Sequence, residues 1–203
     1  MFTGIVQSQA EVYSVKYENN FMHLIIKVLP EFIENLTLGA SIAINGVCLT
    51  VVKFVQVNND AHISFDIIDE TLKASNLSKL KPQNFVNFER SLKIGDEIGG
   101  HIVSGHVHTK AALIEKVSTA TNCCIRFKVP EQWHKFILSK GFITVNGISL
   151  TVGEFDKGIF AVHLIPETLT RTNLSSLKIN DDVNIELDQQ TMTIVTTIER
   201  MKL

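Results

Sequence analysis

Asn45-Gly46-Val47-Cys48-Leu49-Thr50-Val51 decides the architecture, because Asn146-Gly147-Ile148-Ser149-Leu150-Thr151-Val152 repeats it at an offset of 101 residues. Five of the seven positions are identical, the third exchanges Val for Ile, and the fourth exchanges a thiol for a hydroxyl. Asn-Gly between apolar residues is a hairpin signal, since both central residues of a type I′ turn need positive φ. The repeat runs well beyond the turn. Thr3-Gly4 answers Ser104-Gly105 at the same offset, and past the motif the offset becomes 97. There Glu70-Thr71-Leu72 pairs with Glu167-Thr168-Leu169, and Val86-Asn87-Phe88-Glu89 with Val183-Asn184-Ile185-Glu186. A shorter turn at residues 155–159 than at 56–61 accounts for the change, and turns absorb such differences without disturbing the strands they join. The chain is two copies of one fold, not a solenoid, which repeats on shorter periods and needs more copies.

Two halves of roughly 95–100 residues are each large enough to bury a core. Hydrophobic residues make up 45% of the 203-residue chain and charged ones 20%, ordinary for a soluble globular protein. A net charge of −2 supplies no basic field for nucleic acid. No apolar run approaches the ~20 residues that cross a bilayer, so no membrane span is expected. Met1-Phe2-Thr3-Gly4-Ile5-Val6-Gln7 lacks the features of a signal peptide. Three cysteines, two of them adjacent (Cys123-Cys124), make a poor disulfide framework, so reduced thiols and a cytoplasmic location are expected.

Short Val-, Ile- and Phe-rich stretches broken by turn residues every 8 to 12 or so positions mark an all-β barrel or sandwich. The pattern predicts strands at residues 3–9, 11–17, 21–29, 41–44, 49–57 and 62–68, with a short one at 85–89. Pro30 opens a helical turn over 30–34, and Asn58-Asn59-Asp60 is another turn. Residues 90–100, with Gly95, Gly99 and Gly100, read as a linker. A phosphate cradle there lacks the surrounding G-x-G-x-x-G or Walker pattern. The second half predicts strands at 102–117, 124–129, 142–145, 149–154, 159–165 and 183–187, with a helical stretch at 131–139. In the tail 191–202, Met192, Val195, Ile198 and Met201 space out a helix face, although the Thr and Ile content favours a strand. Helix is the reading taken. A helix of about 12 residues is marginal alone and needs another domain or subunit to pack on. The domains are therefore 1–97, 98–188 and a tail helix 189–203.

Gly100-His101-Ile102-Val103-Ser104-Gly105-His106-Val107-His108 holds three histidines. His106 and His108 would share a strand face, but no H-E-x-x-H or C-x-x-C pattern completes a metal site, and adjacent cysteines are not a zinc spacing. No metal is expected. His106, beside a small-residue turn, fits a general acid or base better. Cys48 alone reads as a small buried hydrophobe. Its alignment with Ser149 gives each turn a nucleophile-capable side chain, with Thr50 and Thr151 two residues on and facing the same way. Two copies of a ligand-binding barrel would hold two similar small molecules.

Met1-Phe2-Thr3-Gly4-Ile5-Val6, Asn45-Gly-x-Cys48-Leu-Thr, Gly100-His101-x-x-Ser104-Gly105-His106, Asn146-Gly-Ile-Ser149-Leu-Thr-Val and Ile165-Pro166-Glu167-Thr168-Leu169 resemble, in that order, the riboflavin synthase family. The resemblance covers essentially the whole chain. It implies a homotrimer whose subunits carry two tandem six-stranded Greek-key β-barrels and associate through C-terminal helices. It also implies conversion of two molecules of 6,7-dimethyl-8-ribityllumazine into riboflavin and 5-amino-6-(D-ribitylamino)uracil, with no metal or organic cofactor. The N-terminal barrel of one subunit would face the C-terminal barrel of its neighbour, with the two lumazines stacked between them; a lumazine synthase is a possible further partner that the sequence itself does not decide.

By the same resemblance Cys48 and Ser149 are candidate nucleophiles or polarising groups, and His106 the candidate base. Thr50 and Thr151 are hydrogen-bonding helpers, and Phe2 closes over the site. Contacts in one barrel would come from Gly4, Ile5 and Val6, from Cys48, Leu49 and Thr50, and from Asp66, Ile67, Ile68, Asp69, Glu70 and Thr71. The other would use Gly105, His106 and Val107, then Ser149, Leu150 and Thr151, then Ile165, Pro166, Glu167, Thr168, Leu169 and Thr170. Ser41 and Lys140 are plausible neighbours. Where the resemblance leads one to expect aspartate, the second motif has Asn146. It serves either as a turn former, like Asn45, or as a sign of weaker acid/base chemistry in that barrel; the shared turn favours the first. The alternative function is a non-catalytic lumazine- or flavin-binding protein, against which the presence of Cys48, His106 and Ser149 counts. A barrel that only mediates assembly gives no reason for polar residues to recur at equivalent hairpins.

Overall fold

Period-two alternation shapes the first half. In Phe21–Val28 the side chains of Met22, Leu24, Ile26 and Val28 point inward and are buried, and the intervening ones lie nearer solvent. The computed structural model describes residues 1–18, 21–119 and 122–201. β1 (Ser8–Glu18), β2 (Phe21–Val28), β3 (Ser41–Ile44), β4 (Val47–Val57), β5 (Asp60–Ile68), a short helix α1 (Asp69–Ala74) and β6 (Phe85–Arg90) form the first unit. Its strands are antiparallel neighbours in the order β1-β2-β5-β4-β3-β6, and β6 pairs back with β1 to close a six-stranded barrel. Bulges at Val12/Ser14 and Val51/Lys53 bend the strands round the core, where Ile26, Ile44, Phe65 and Phe88 meet.

The second unit comprises β7 (Thr109–Ser118), β8 (Cys123–Lys128), β9 (Phe142–Val145), β10 (Ile148–Thr151), β11 (Phe155–Asp156), β12 (Ile159–Leu164), helix α2 (Pro166–Arg171) and β13 (Asp182–Leu187). Its order, β10-β9-β13-β7-β8-β12-β11, is that of the first unit except that the counterpart of β4 is split in two. In place of the expected strand 149–154, β10 ends at Thr151 and β11 begins at Phe155; between them Val152 bonds to Lys140 and Gly141, and Gly153 and Glu154 bond to Ala161. A Cβ on Gly153 would lie 3.2 Å from both the Ala161 carbonyl and the His163 ring, so a side chain there would need its neighbours to shift by a few tenths of an ångström. The second unit is thus a curled seven-stranded sheet, not the closed six-stranded barrel expected.

Two further expectations change. Residues 3–9 and 102–117 were to be strands throughout, but β1 begins at Ser8 and β7 at Thr109, leaving only an isolated Phe2–Val103 bridge before them. Gly4 (φ 74°) and Gly105 (φ 83°) take the left-handed region and break the extended run. The expected helix 131–139 is a 3-10 turn over Glu131–Phe136. Residues 90–100 run between the two units with 93–99 exposed; Leu92 N–H donates to the Met1 carbonyl and, just past the stretch, His101 N–H to that of Thr3. The tail is α3 (Gln189–Met201), opened by Asp188, whose carboxylate accepts from Thr191 N–H and hydroxyl at 2.8 and 2.7 Å. Met192 and Val195 pack on the second core, whereas Ile198 and Met201 face outward; Lys202 and Leu203 lie outside the described residues. No described helix is long and apolar enough to cross a membrane.

Candidate functional site

The two Asn-Gly turns meet back to back. Asn45 and Asn146 both have φ 46°, and a Cβ on Gly46 would sit 2.6 Å from the backbone nitrogen of Gly147. Round this pseudo-twofold axis the asparagines bond reciprocally. Asn87 and Asn184 N–H donate to the side chains of Asn45 and Asn146 at 2.8 Å each, and their own amides donate to the carbonyls of the opposite turn, at 2.9 and 2.8 Å. Asn173 and Asn76 reach the same side-chain oxygens at 3.0 and 3.1 Å. Asn146 is therefore a turn former and network member, as Asn45 is.

Beyond each turn a strap arrives from the other half. Phe2 and Val103 exchange backbone bonds of 2.8 and 3.0 Å. The Gly4 carbonyl accepts from Ser149 N–H at 2.8 Å, and the Gly105 carbonyl accepts from Cys48 N–H at 2.8 Å. A Cβ on Gly4 would be 2.6 Å from Ser149 Cβ, and one on Gly105 2.6 Å from Cys48 Cβ. Val6 is buried in the second core and Val107 packs against the first. The sequence grouping is thus exchanged: Gly4–Val6 serve the Ser149 side and Gly105–Val107 the Cys48 side. Repeat equivalence falls on the strands, but the straps cross between them.

A carboxylate holds each strap. Glu89 accepts from Thr3 N–H (2.7 Å), Thr3 hydroxyl (2.8 Å) and Gly4 N–H (3.2 Å). Glu186 accepts from Ser104 N–H and hydroxyl (2.7 Å each) and from Gly105 N–H (2.9 Å). Burial raises both carboxyls above the ordinary carboxylate range, with the hydrogen bonds opposing it. Neither was among the candidates read from sequence. Their repeat was visible, but the strap they bind was read as strand.

On the first side a cleft of about 270 Å³ brings Cys48, Glu70, Thr71, Gly105, His106 and Val107 together. His106 is exposed there. Thr50 is exposed on β4 directly opposite Ser41, and Leu49 turns into the core. Phe2 is wholly buried with Ala43 and Val103 behind Cys48, so in this chain it is a wedge under the turn instead of the cover expected. Asp66 pairs with His23 at 2.6 Å, Ile67 is core, Ile68 is exposed, and Asp69 opens α1.

On the second side Ser149 Oγ lies 2.7 Å from Nδ1 of His101, whose Nε2 is 3.2 Å from Thr144 Oγ1 and whose ring stacks on Phe142 at 4.8 Å. Burial lowers the pKa of His101, opposed by Asp188, so a neutral imidazole faces the hydroxyl. His101 was not among the candidate residues, since it lies outside the positions that recur between the two halves. Gly100 beside it owes its identity to packing: a Cβ would lie 2.3 Å from the Thr3 carbonyl and 2.7 Å from Ser149 Cβ. Thr151 pairs with Phe142, Leu150 packs on the core, and Lys140 is exposed at φ 68°. Residues 165–170 are displaced by two from the counterpart of 66–71, because α2 follows α1 by 97 residues; Asp66 thus corresponds to His163. Ile165 is exposed, Pro166, Glu167 and Thr168 open α2, and Leu169 packs on the second core, with Thr170 following it in α2.

His106 and His108 do not share a site: the ring of His108 accepts from Leu187 N–H at 3.2 Å and meets Trp133 edge-on. Among the described residues no cluster of three metal-ligating side chains occurs. A second cleft, of about 630 Å³, lies outside the Gly4 strap between Ile5, Glu31, Arg90, Lys93 and Glu97. Its charges are mixed, and the Arg90 guanidinium is spent on the carbonyls of Glu34 and Asn35, so the paired turns are the better candidate.

The sequence model of the lumazine binding domain matches residues 3–91 and again 104–188. The chain is 47% identical to riboflavin synthase of Escherichia coli (strain K12) over 99% of its own length and 93% of the relative's. It is 39% identical to riboflavin synthase of Chlamydia pneumoniae, over 99% of this chain and 96% of that one. A crystal structure of LumP complexed with riboflavin superposes with a TM-score of 0.84 at 26% identity, covering 93% of this chain and all of that one.

Proposed function

The chain belongs to the riboflavin synthase family, and from that premise we propose that it converts two molecules of 6,7-dimethyl-8-ribityllumazine into riboflavin and 5-amino-6-(D-ribitylamino)uracil. The enzyme is a transferase that moves a four-carbon unit from one lumazine to the other. The two products together contain all the atoms of the two reactants, so the balance needs no oxidant and no external group donor. The observation that carries this reading is the paired site, two equivalent turns each crossed by a glycine strap and each offering a sulfur or oxygen nucleophile.

One lumazine lies against Cys48 and the other against Ser149. His106, in the Cys48 cleft, takes a proton from the acidified methyl on C7. Neutral His101 accepts the hydroxyl proton of Ser149 and so sharpens its oxygen for addition to C7. Thr50 and Thr151, exposed on the same strands, hydrogen-bond the heterocycles. Much of the acceleration is proximity, since fixing two reactants face to face supplies several kcal/mol. The domain division is 1–97, 98–188 and 189–203. The assembly is a homotrimer with sites between subunits, supported by the outward Ile194, Ile198 and Met201 of α3. It works in the cytoplasm, consistent with three free thiols, alongside a lumazine synthase.

Complementation tests the inter-subunit site. Cys48→Ala and Ser149→Ala are each made inactive or nearly so, then mixed and allowed to exchange subunits. Recovery of turnover on mixing is the expected result, since some interfaces then join an intact Cys48 side to an intact Ser149 side. Failure to recover, despite proven exchange, would place both lumazines within one chain.

A further inference from the structure

Glu89 and Glu186 are among the most deeply buried charged side chains, 4% and 5% exposed, and no step of the reaction uses them. Each stands near the end of the last strand of its own unit, β6 or β13, and turns its carboxylate onto the strap. The strap then leaves for the other unit. Past Glu89 it delivers the Gly4 carbonyl to Ser149 N–H, and past Glu186 the Gly105 carbonyl to Cys48 N–H. Val6 and Val107 anchor each strap in the opposite core.

We propose that the two carboxylates are positioning residues acting crosswise: Glu186, on the second unit, fixes the Cys48 turn of the first, and Glu89, on the first, fixes the Ser149 turn of the second. The inference rests on the assignment of Cys48 and Ser149 to the reaction. Both carboxylate oxygens are needed. One accepts from the Thr3 or Ser104 backbone and hydroxyl, the other from the glycine N–H. An isosteric glutamine keeps a single acceptor, and its NH₂ must then face a backbone donor. The duplicated brace ties the geometry of each half-site to the other unit, so neither pocket is set by one unit alone.

Glu89→Gln and Glu186→Gln in the full-length protein provide the test, with Thr3→Val and Ser104→Ala as milder variants that each remove one hydroxyl donor. Amide hydrogen exchange is read at Cys48 and Ser149, together with kcat and KM for 6,7-dimethyl-8-ribityllumazine and the melting temperature. Glu186→Gln is expected to speed exchange at Cys48 about tenfold or more and leave Ser149 unchanged, while Glu89→Gln does the reverse. Both should lower kcat more than they raise KM, and Ser104→Ala and Thr3→Val should show smaller changes at the same amides. Exchange rising at both amides, or at neither, would overturn the crosswise brace. So would the crossed pattern with unchanged kcat in an active enzyme. A wild-type protein that binds lumazine without turnover would overturn the functional reading alone, since the exchange pattern decides the brace without catalysis.

Discussion

Replacing Gly105 with alanine loads the strap where it touches the Cys48 turn. At φ 83° an L side chain costs about 1–2 kcal/mol. The new Cβ would also sit 2.6 Å from Cys48 Cβ and 3.0 Å from both Cys48 N and the Phe2 ring. None of these is the free end of a flexible side chain, so the strap itself must move, and overpacking of this kind costs about 1–3 kcal/mol more. The reduced freedom of the unfolded chain returns about 0.4–1 kcal/mol. The expected net loss is about 1–5 kcal/mol, a sizeable part of the stability of an ordinary domain. Urea denaturation measures it, and kcat should fall alongside because the Gly105 carbonyl holds Cys48 N–H. Gly95→Ala is the control, with φ 98° and nothing within 4 Å of the added Cβ. It carries the backbone strain without the collision, and its turnover should be that of wild type. Equal destabilisation by the two substitutions, with equal activity, would refute the claim that the strap is seated on the Cys48 turn.

Three further outcomes follow from the site. Cys48→Ala should cut turnover more than it weakens lumazine binding, measured by parallel kinetics and fluorescence titration; equal losses in both would make Cys48 a packing residue. Because burial depresses His101, the unfolded chain binds protons that the folded one refuses, and the stability this represents is present above the ordinary histidine value and lost as pH falls through the depressed folded value. His101→Asn should flatten that acid-side fall in urea titrations at several pH values, and an unchanged slope would contradict the assignment. Asn146→Asp should change kcat by less than about tenfold, as the side chain serves the turn and the asparagine network, not the reaction. A larger gain or loss would give that position an acid/base role.

The duplicated turn, the strand pattern and the tail helix were legible because each rests on local signals: Asn-Gly at positive φ, period two, and a three-to-four spacing. The crossing of the straps was not. Residues 3–7 and 102–108 have apolar strand-like composition, and nothing local records that their carbonyls bond to the other half. The burial of Glu89 and Glu186 was hidden for a related reason. Alternation places one face of Val86-Asn87-Phe88-Glu89 outward, yet that face is covered by the asparagine axis and the strap, and all four residues are buried. His101 escaped because comparison between halves rewards residues that recur, and it does not. The split of β10 from β11 falls at Gly153, and a lone glycine in a strand pattern marks a bulge or close approach without saying that the strand stops there.

The most direct measurement mixes the purified protein with 6,7-dimethyl-8-ribityllumazine alone and follows riboflavin by its visible absorbance. Catalytic formation of one riboflavin and one 5-amino-6-(D-ribitylamino)uracil for every two lumazines consumed is the predicted result. Tight binding of lumazine with no riboflavin formed would contradict it, making the chain a ligand carrier and returning Cys48, His106 and Ser149 to structural roles.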